Sequence, residues 1–368
     1  MKEIQSSNTS ELQIIVTGTH LSPEFGETYR EIEKDGFFIN KKVEILLASD
    51  SPVGISKSMG LAMIGFSDAY ANLNPDIIVV LGDRFEIFAA ASAATVARIP
   101  IAHLSGGETT EGAFDEAFRH SITKMSHLHF VSTKKYKERV IQLGEQPDRV
   151  FDVGAFGIDN IRNLQLLTKD DLEKSLDFKF GQRNLLITFH PVTLENSTSK
   201  QQFSNLLSVL EKLKNTHLIF TQANADTDGR IINQMIIKYV SSNSNKAVFY
   251  KSLGQLRYLS TLQYMDGVVG NSSSGLVEAP SFKIGTINIG DRQLGRVKSE
   301  RVIDCDSSIK GIQGAFNTLF GEEFKKLVSN VENPYDKGKV ADKISRVIQT
   351  HSLDNILKKK FYDIETLM

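Results

Sequence analysis

The sequence predicts an α/β protein built from two successive halves, each a doubly wound parallel sheet. Three observations carry this expectation. Short apolar, β-branched runs alternate with longer amphipathic ones. The alternation pauses at a polar stretch, "LTKDDLEKSLDFKFGQRN" (167–184), and then begins again. Finally, a chain of 368 residues with 40% hydrophobic and 24% charged residues is long enough to bury two cores.

In the first half, "LQIIV" (12–16), "DIIVVL" (76–81), "IPIAHL" (99–104), "HLHFVS" (127–132) and "RVFDVG" (149–154) have the continuous hydrophobicity of strands buried on both faces. In the second, "LLITFH" (185–190), "THLIFT" (216–221), "KAVFY" (246–250), "GVVG" (267–270) and "TINIG" (286–290) repeat the pattern. The boundary is expected near residue 165, giving domains over 1–165 and 166–345 with a cleft between them. From about Asn333 the chain reads as a lysine-rich helical stretch, whose tail, 346–368, is expected to pack back on the first domain.

Composition excludes several functional classes. Formal net charge is −1 and the basic residues are dispersed, so no nucleic-acid partner is expected. The single cysteine, Cys305, rules out an internal disulfide framework and argues against structural zinc. No signal peptide or membrane-length apolar run is present in the sequence, so a cytoplasmic protein without a membrane partner is expected.

In open parallel sheets, ligands sit beyond the carboxyl ends of the strands. Those ends carry Gly82-Asp83-Arg84, Ser105-Gly106-Gly107-Glu108, His190-Pro191, "QANADTDG" (222–229), Asn271-Ser272-Ser273-Ser274-Gly275 and Asp291-Arg292. The stretch "GNSSSGLVEAP" (270–280) reads as a strand, a turn of small hydroxyl residues and a helix start, which would aim backbone N–H groups at a phosphate. Serine-rich helix caps are common without any ligand. Glu278, about one and a half turns into that expected helix, tips the reading toward a nucleoside diphosphate, because its carboxylate suits ribose hydroxyls better than phosphate. Arg292 and Arg296 on the glycine-flanked loop "GDRQLGR" would offset phosphate charge.

"GETTEGAFDEAFRH" (107–120) places Glu108, Glu111, Asp115 and Glu116 directly after an apolar strand. Asp83 ends another strand, and Asp115 and Arg119 share a helix face at i, i+4. Each acid alone could be a helix cap or dipole partner. Together, Asp83, Glu108, Asp115, Arg119 and His190 are expected to converge on the cleft. Carboxylates in different environments can serve as base and acid, as proton abstraction and return on a neutral sugar require. His120, His127 and His129 lack metal-ligand spacing, and no metal is expected. His190 is the better functional histidine, as phosphate contact or proton donor.

The segments "VTGTHLSPEFGETYREIEKDGF", "VVLGDRFEI", "GGETTEGAFDEAFRHSITKMSHLHF", "RVIQLGEQPDRVFDVGAFGIDNI", "FHPVTLE" and "GNSSSGLVEAPSFKIGTINIGDRQLGRV" resemble, in order and over nearly the whole chain, the hydrolysing UDP-N-acetylglucosamine 2-epimerases of bacterial sialic-acid and related nonulosonic-acid pathways. The resemblance implies two Rossmann-like domains of the glycosyltransferase-B type, a homodimer, and no metal or nicotinamide cofactor. It implies conversion of UDP-N-acetylglucosamine and water to UDP and N-acetylmannosamine through a 2-acetamidoglucal. By similarity, Asp83 and Asp115 match acidic catalytic positions and His190 the family's cleft histidine. Ser272, Ser273 and Glu278 match the UDP-binding loop, and Asn224, Arg84 and Arg296 further nucleotide contacts. Base and acid stay unassigned.

Two departures from the family pattern stand out. Where some relatives carry glutamate in "HIEGGE", this chain has Ser105 in "HLSGGE", which makes Glu108 the candidate substitute. The opening "MKEIQSSNTSELQ" resembles the end of a helix that relatives precede with a strand and a nucleotide-binding loop, so a truncated or misplaced start and a first sheet short of one strand are expected. Within the family, an epimerase of UDP-N,N′-diacetylbacillosamine for legionaminic acid is the alternative. A UDP-sugar glycosyltransferase of the same fold, or a non-catalytic UDP-sugar binder, are the alternatives of other classes.

Overall fold

The computed structural model describes residues 1–47, 49, 51–109, 114–191, 198–223 and 229–364. Among them, Met1–Thr109, Asp115–Asp159 and the chain from Tyr335 onward form one compact unit, and Asn160–Pro334 form a second. Both are parallel α/β structures.

Unit two holds six parallel strands: β7 (Arg183–Thr188), β8 (Thr216–Thr221), β9 (Ala247–Tyr250), β10 (Gly267–Gly270), β11 (Gly285–Ile289) and β12 (Val302–Cys305), in the order β12-β11-β10-β7-β8-β9. Consecutive residues of β7 feed opposite faces. Leu185 and Ile187 join Phe189, Phe203, Leu206, Leu218 and Phe316 on one side, while Leu186 joins Leu172, Ile219, Leu259 and Val268 on the other. A strand covered by helices on both faces therefore reads as an unbroken apolar run, and each leucine so buried contributes about 2 kcal/mol. The strand order reverses between the parallel neighbours β7 and β10: β8 and β9 are added outward on one side, β11 and β12 on the other. Such a switch point leaves the loops after the two central strands side by side, with no helix between them.

Unit one begins with the short helix Lys2–Gln5 and holds two ladders. β1 (Ile15–Thr17) pairs with β2 (Lys41–Val43), and β3 (Ile78–Leu81), β4 (Ile101–Leu104), β5 (Leu128–Val131) and β6 (Val150–Asp152) pair in sequence order. No pairing joins β1 to β3 among the described residues. This corrects the expectation that β3 is covered on both faces: it edges its ladder, and Val79 and Leu81 are 44% and 43% exposed. β2 and β12 were not expected at all. Both are short edge strands whose sequences, "KKV" and "VIDC", are interrupted by exposed charged residues, so they carry no continuous apolar signal.

The chain returns to unit one at Tyr335, whose carbonyl accepts from Ala155 N (2.9 Å) and whose hydroxyl meets that of Tyr136 (3.1 Å). Asp159 Oδ2 accepts from Ala341 N (2.6 Å), holding the start of helix Val340–Thr350. Val340, Ile344 and Ile356 then complete the core around Leu128 and Phe130. Among the described residues, no helix is long and apolar enough to cross a membrane.

Candidate active site

At the carboxyl ends of β3 and β4, unit one builds a polar network on an apolar base. Gly82 turns the chain with φ +78°, a conformation that costs glycine nothing, and delivers Asp83. The Asp83 carboxylate is ion-paired with the Arg119 guanidinium from helix Asp115–Met125. Arg119 is only 3% exposed. Its second nitrogen donates to the carbonyl of Ser105 (2.7 Å), which itself sits in the left-handed region at φ +64°, an uncommon conformation for a residue with a side chain. The backbone carbonyl of Ser105, the position of the first departure noted above, thus helps to seat Arg119. Asp115 is buried in the first turn of the same helix, one turn before Arg119.

Beneath this pair lies His103, fully buried in β4. Its Nε2 is 2.8 Å from the Gly82 carbonyl, and its Nδ1 is 3.2 Å from Thr123 Oγ1. Burial pushes its pKa down to about 3, so the ring is neutral. A neutral ring has one N–H, and only a proton on Nε2 satisfies the carbonyl, which leaves Nδ1 as an acceptor that shares the single proton of the threonine hydroxyl with the Arg119 carbonyl (3.0 Å). His103 therefore ties the Gly82-Asp83 turn to the helix that carries Arg119.

Glu108 follows on a loop pinned by its neighbours. Gly107 has φ +74° in a place where a Cβ would strike the carbonyl of Tyr136, and its own carbonyl accepts from Arg139 Nη1 (2.6 Å). The Glu108 carboxylate is buried and accepts from Ser132 Oγ (3.0 Å). Arg84 points Nε toward Glu86 Oε2 at 3.5 Å. Glu111 lies outside the described residues. The other histidines serve the fold: His120 meets Glu116 (3.0 Å), His127 Nδ1 accepts from Ile101 N (3.1 Å), and buried His129 meets Glu145 (2.9 Å).

In unit two the candidate residues gather at the switch point. His190 follows β7 and is buried; its N–H donates to Asn271 Oδ1 (2.7 Å) and its carbonyl accepts from Asn271 Nδ2 (2.8 Å). Gly270, at φ +137°, permits this approach, because any Cβ would collide with the Thr188 carbonyl. Arg292 Nη1 (3.1 Å) and Gln293 Nε2 (2.8 Å) both donate to the carbonyl of Asn271. Arg296 lies on the same loop, its N–H bonded to Gln293 O (3.4 Å). Ser272 Oγ accepts from Ser274 N (3.4 Å), and Ser273 precedes the helix start. Tyr258, whose hydroxyl pKa burial and the nearby Glu278 push up, holds the Ser274 hydroxyl. Asn224 lies outside the described residues.

The expectation that Glu278 lies inside the helix after the serines is corrected. The helix runs only over Ser274–Val277, with Glu278 at its end, and passes into a tight 3-10 turn, Ala279–Phe282. Pro280 is the cause, since it has no N–H to continue the ladder and its ring clashes with the preceding turn. The helix dipole is accordingly slight, and what the loop presents is its backbone N–H groups with Arg292 close by on the carbonyl of Asn271.

His103 and Asn271 were missed as site residues. His103 was legible as the lone polar residue inside an apolar strand, and Asn271 as the first residue beyond one, but neither position reveals a hydrogen-bond partner distant in sequence.

Comparison with known proteins bears on the whole chain. Residues 2–349 match the family described as UDP-N-acetylglucosamine 2-epimerase. The GDP/UDP-N,N′-diacetylbacillosamine 2-epimerase (hydrolyzing) of Campylobacter jejuni is 48% identical over 98% of this chain and 94% of its own. Polysialic acid biosynthesis protein P7 of Escherichia coli is 42% identical over 96% of this chain and 90% of its own. Among solved structures, UDP-GlcNAc 2-epimerase of Neisseria meningitidis bound to UDP-GlcNAc shares the fold, with TM-score 0.79 at 20% identity over 94% of each chain. Fold, motifs and sequence agree that the chain belongs to the UDP-N-acetylglucosamine 2-epimerase family of enzymes.

Proposed function

We propose that the chain is a hydrolysing 2-epimerase of a UDP-linked 2-acetamido-hexose. The observation that carries this reading is the pair of half-buried Asp83 with buried Arg119 at the end of β3, with buried Asp115 one turn away on the arginine's own helix. It supports a set of carboxylates held in fixed orientation, as proton transfer at carbon requires.

In the reading, one carboxylate takes the C2 proton while the C1–O bond to UDP breaks, leaving a 2-acetamidoglucal. Water then adds its oxygen to C1, and a proton returns to C2 on the opposite face. The sum is nucleotide sugar plus water to UDP plus the C2-inverted free sugar. Asp83, Asp115 and Glu108 are the acid–base set, with Arg119 orienting Asp83. Recognition of UDP falls to unit two: backbone N–H groups at Ser272 and Ser273 with Arg292 and Arg296 for the phosphates, Glu278 for the ribose, and His190 for the leaving phosphate. Arg84 and Asn224 are further nucleotide contacts by similarity. The active form is taken to be a homodimer.

For the sugar, two readings stand. UDP-N-acetylglucosamine is the family's eponymous substrate. The 48% identity to the Campylobacter jejuni enzyme favours UDP-N,N′-diacetylbacillosamine. Proton NMR in deuterated water with each nucleotide sugar tests both. Release of UDP with deuterium at C2 of the free sugar is expected, and the larger kcat/KM names the substrate. UDP release only when an acceptor is added, with the sugar transferred intact, would instead make the chain a glycosyltransferase. Binding of both nucleotide sugars without any turnover would make it a binder.

A further inference from the structure

We infer that Asn271 is the positioning residue of the nucleotide site, one side chain and one carbonyl setting the three strand-end loops that recognise UDP. The inference rests on the reading of unit two as the UDP-binding half.

Asn271 is 1% exposed and so acts through other groups. Its carboxamide pairs with the backbone of His190 at two points, 2.7 Å and 2.8 Å, and the partners fix its orientation: an N–H must face the oxygen and a carbonyl the amide nitrogen. Its own carbonyl takes the donors from Arg292 and Gln293, and its N–H is spent on Thr188 O (3.2 Å). The loops after β7, β10 and β11 thus share one residue at the switch point. Chemistry restricts the position. Aspartate has the same shape but would set a second acceptor against the His190 carbonyl, and alanine would abolish both side-chain bonds.

The two functions of Asn271 are separable. Its side chain serves His190, whereas its carbonyl serves Arg292 through a bond that Gln293 shares. Asn271→Asp should raise both the Kd for UDP and KM by about 10-fold and lower kcat by about 10-fold. Gln293→Met, which removes one donor at nearly constant volume, should raise the UDP Kd and KM by a few-fold and leave kcat within about twofold. Isothermal titration with UDP and steady-state kinetics, run well below the thermal midpoint of each variant, give these numbers. A purely structural role predicts that both variants lose folded protein while the remainder keeps wild-type Kd, KM and kcat, and that result overturns the inference.

If wild-type protein shows no UDP binding at all, the UDP reading fails, and the coupling is read separately by amide hydrogen exchange. The His190 N–H should exchange at least about 10-fold faster in Asn271→Ala than in wild type. An unchanged rate in that folded variant also overturns the inference.

Discussion

Arg119 brings a full positive charge to a position 3% exposed, and Asp83 is its counter-charge. Breaking a buried pair by neutralising one partner is costly, because the other charge stays where water cannot reach it. Asp83→Asn is therefore expected to destabilise unit one by about 2–3 kcal/mol, the bond from Arg119 to the Ser105 carbonyl softening the loss. It should also lower kcat by about 10²–10⁴, the usual share of a general acid or base. Chemical denaturation and a rate assay separate the two effects, and a variant with wild-type kcat would remove Asp83 from the catalytic set. His103 makes a distinct prediction, since the Asp83 turn depends on the one N–H that it donates to the Gly82 carbonyl. Gln can supply that donor and Phe cannot. His103→Phe should cost about 10-fold in kcat with little change in UDP affinity, and His103→Gln should recover most of it. Equal losses in both variants would mean that ring packing, rather than the hydrogen bond, is what matters.

At the scale of elements, legibility follows burial. The ten strands anticipated from apolar runs are present, most within two residues of their expected ends, and those sandwiched between helix layers, such as β7 over Leu185–Ile187, must be apolar at consecutive positions. β2 and β12 escaped because charged residues, Lys41 and Lys42 in one and Asp304 in the other, break their apolar runs. The strand-end logic placed Asp83, Glu108, His190 and Ser272 just beyond strand ends without any structure, since the polar residue after an apolar strand is set by the chain itself. Bonds such as His103 to Thr123 or Asn271 to His190 join residues 20 and 81 positions apart, and no local pattern encodes them. The C-terminal strap is a second such case. Lys359 reaches Glu145 Oε2 (2.7 Å) and the carbonyls of Lys124 (2.8 Å) and Ser126 (2.6 Å), while Tyr362 N donates to Gly144 O (2.9 Å). Lys359→Met should cost about 2 kcal/mol, with Lys124 left as the remaining cation on Glu145. Amide exchange at Tyr362 is the local readout: no acceleration in the variant would show that the strap holds by its apolar contacts alone.

On the scale of the whole molecule, the two units are expected to respond to different ligands, protons for one and UDP for the other. Burial lowers the pKa of His103 to about 3 and of His127 to about 4 from the ordinary 6.5, and it lowers that of His129 against the pull of Glu145. All three belong to unit one. Folding thus favours the neutral ring, while the unfolded chain takes up protons below about pH 6.5. The stability they contribute is complete above that pH and drains away as pH falls toward 4 and 3, by about 1.4 kcal/mol per pH unit for each ring. Glu145 acts in the same sense lower down. Burial would raise its carboxyl, but the hydrogen bond from His129 and the ammonium groups of Lys124 and Lys359 outweigh it and hold the pKa at about 2, so its contribution, present above 4.5, is lost below. UDP, by contrast, stabilises the unit that binds it by about 2.7 kcal/mol at one hundred times its Kd. Hydrogen exchange by mass spectrometry at pH 7.5 and pH 5.0, corrected for intrinsic exchange rates and run with and without UDP, should show peptides from β4 and β5 deprotecting first on acidification. Saturating UDP should protect peptides around β7, β10 and β11 while leaving that acid response in place. Acid-induced opening that starts in unit two would contradict the histidine assignment, and UDP protection confined to unit one would contradict the placement of the nucleotide loops.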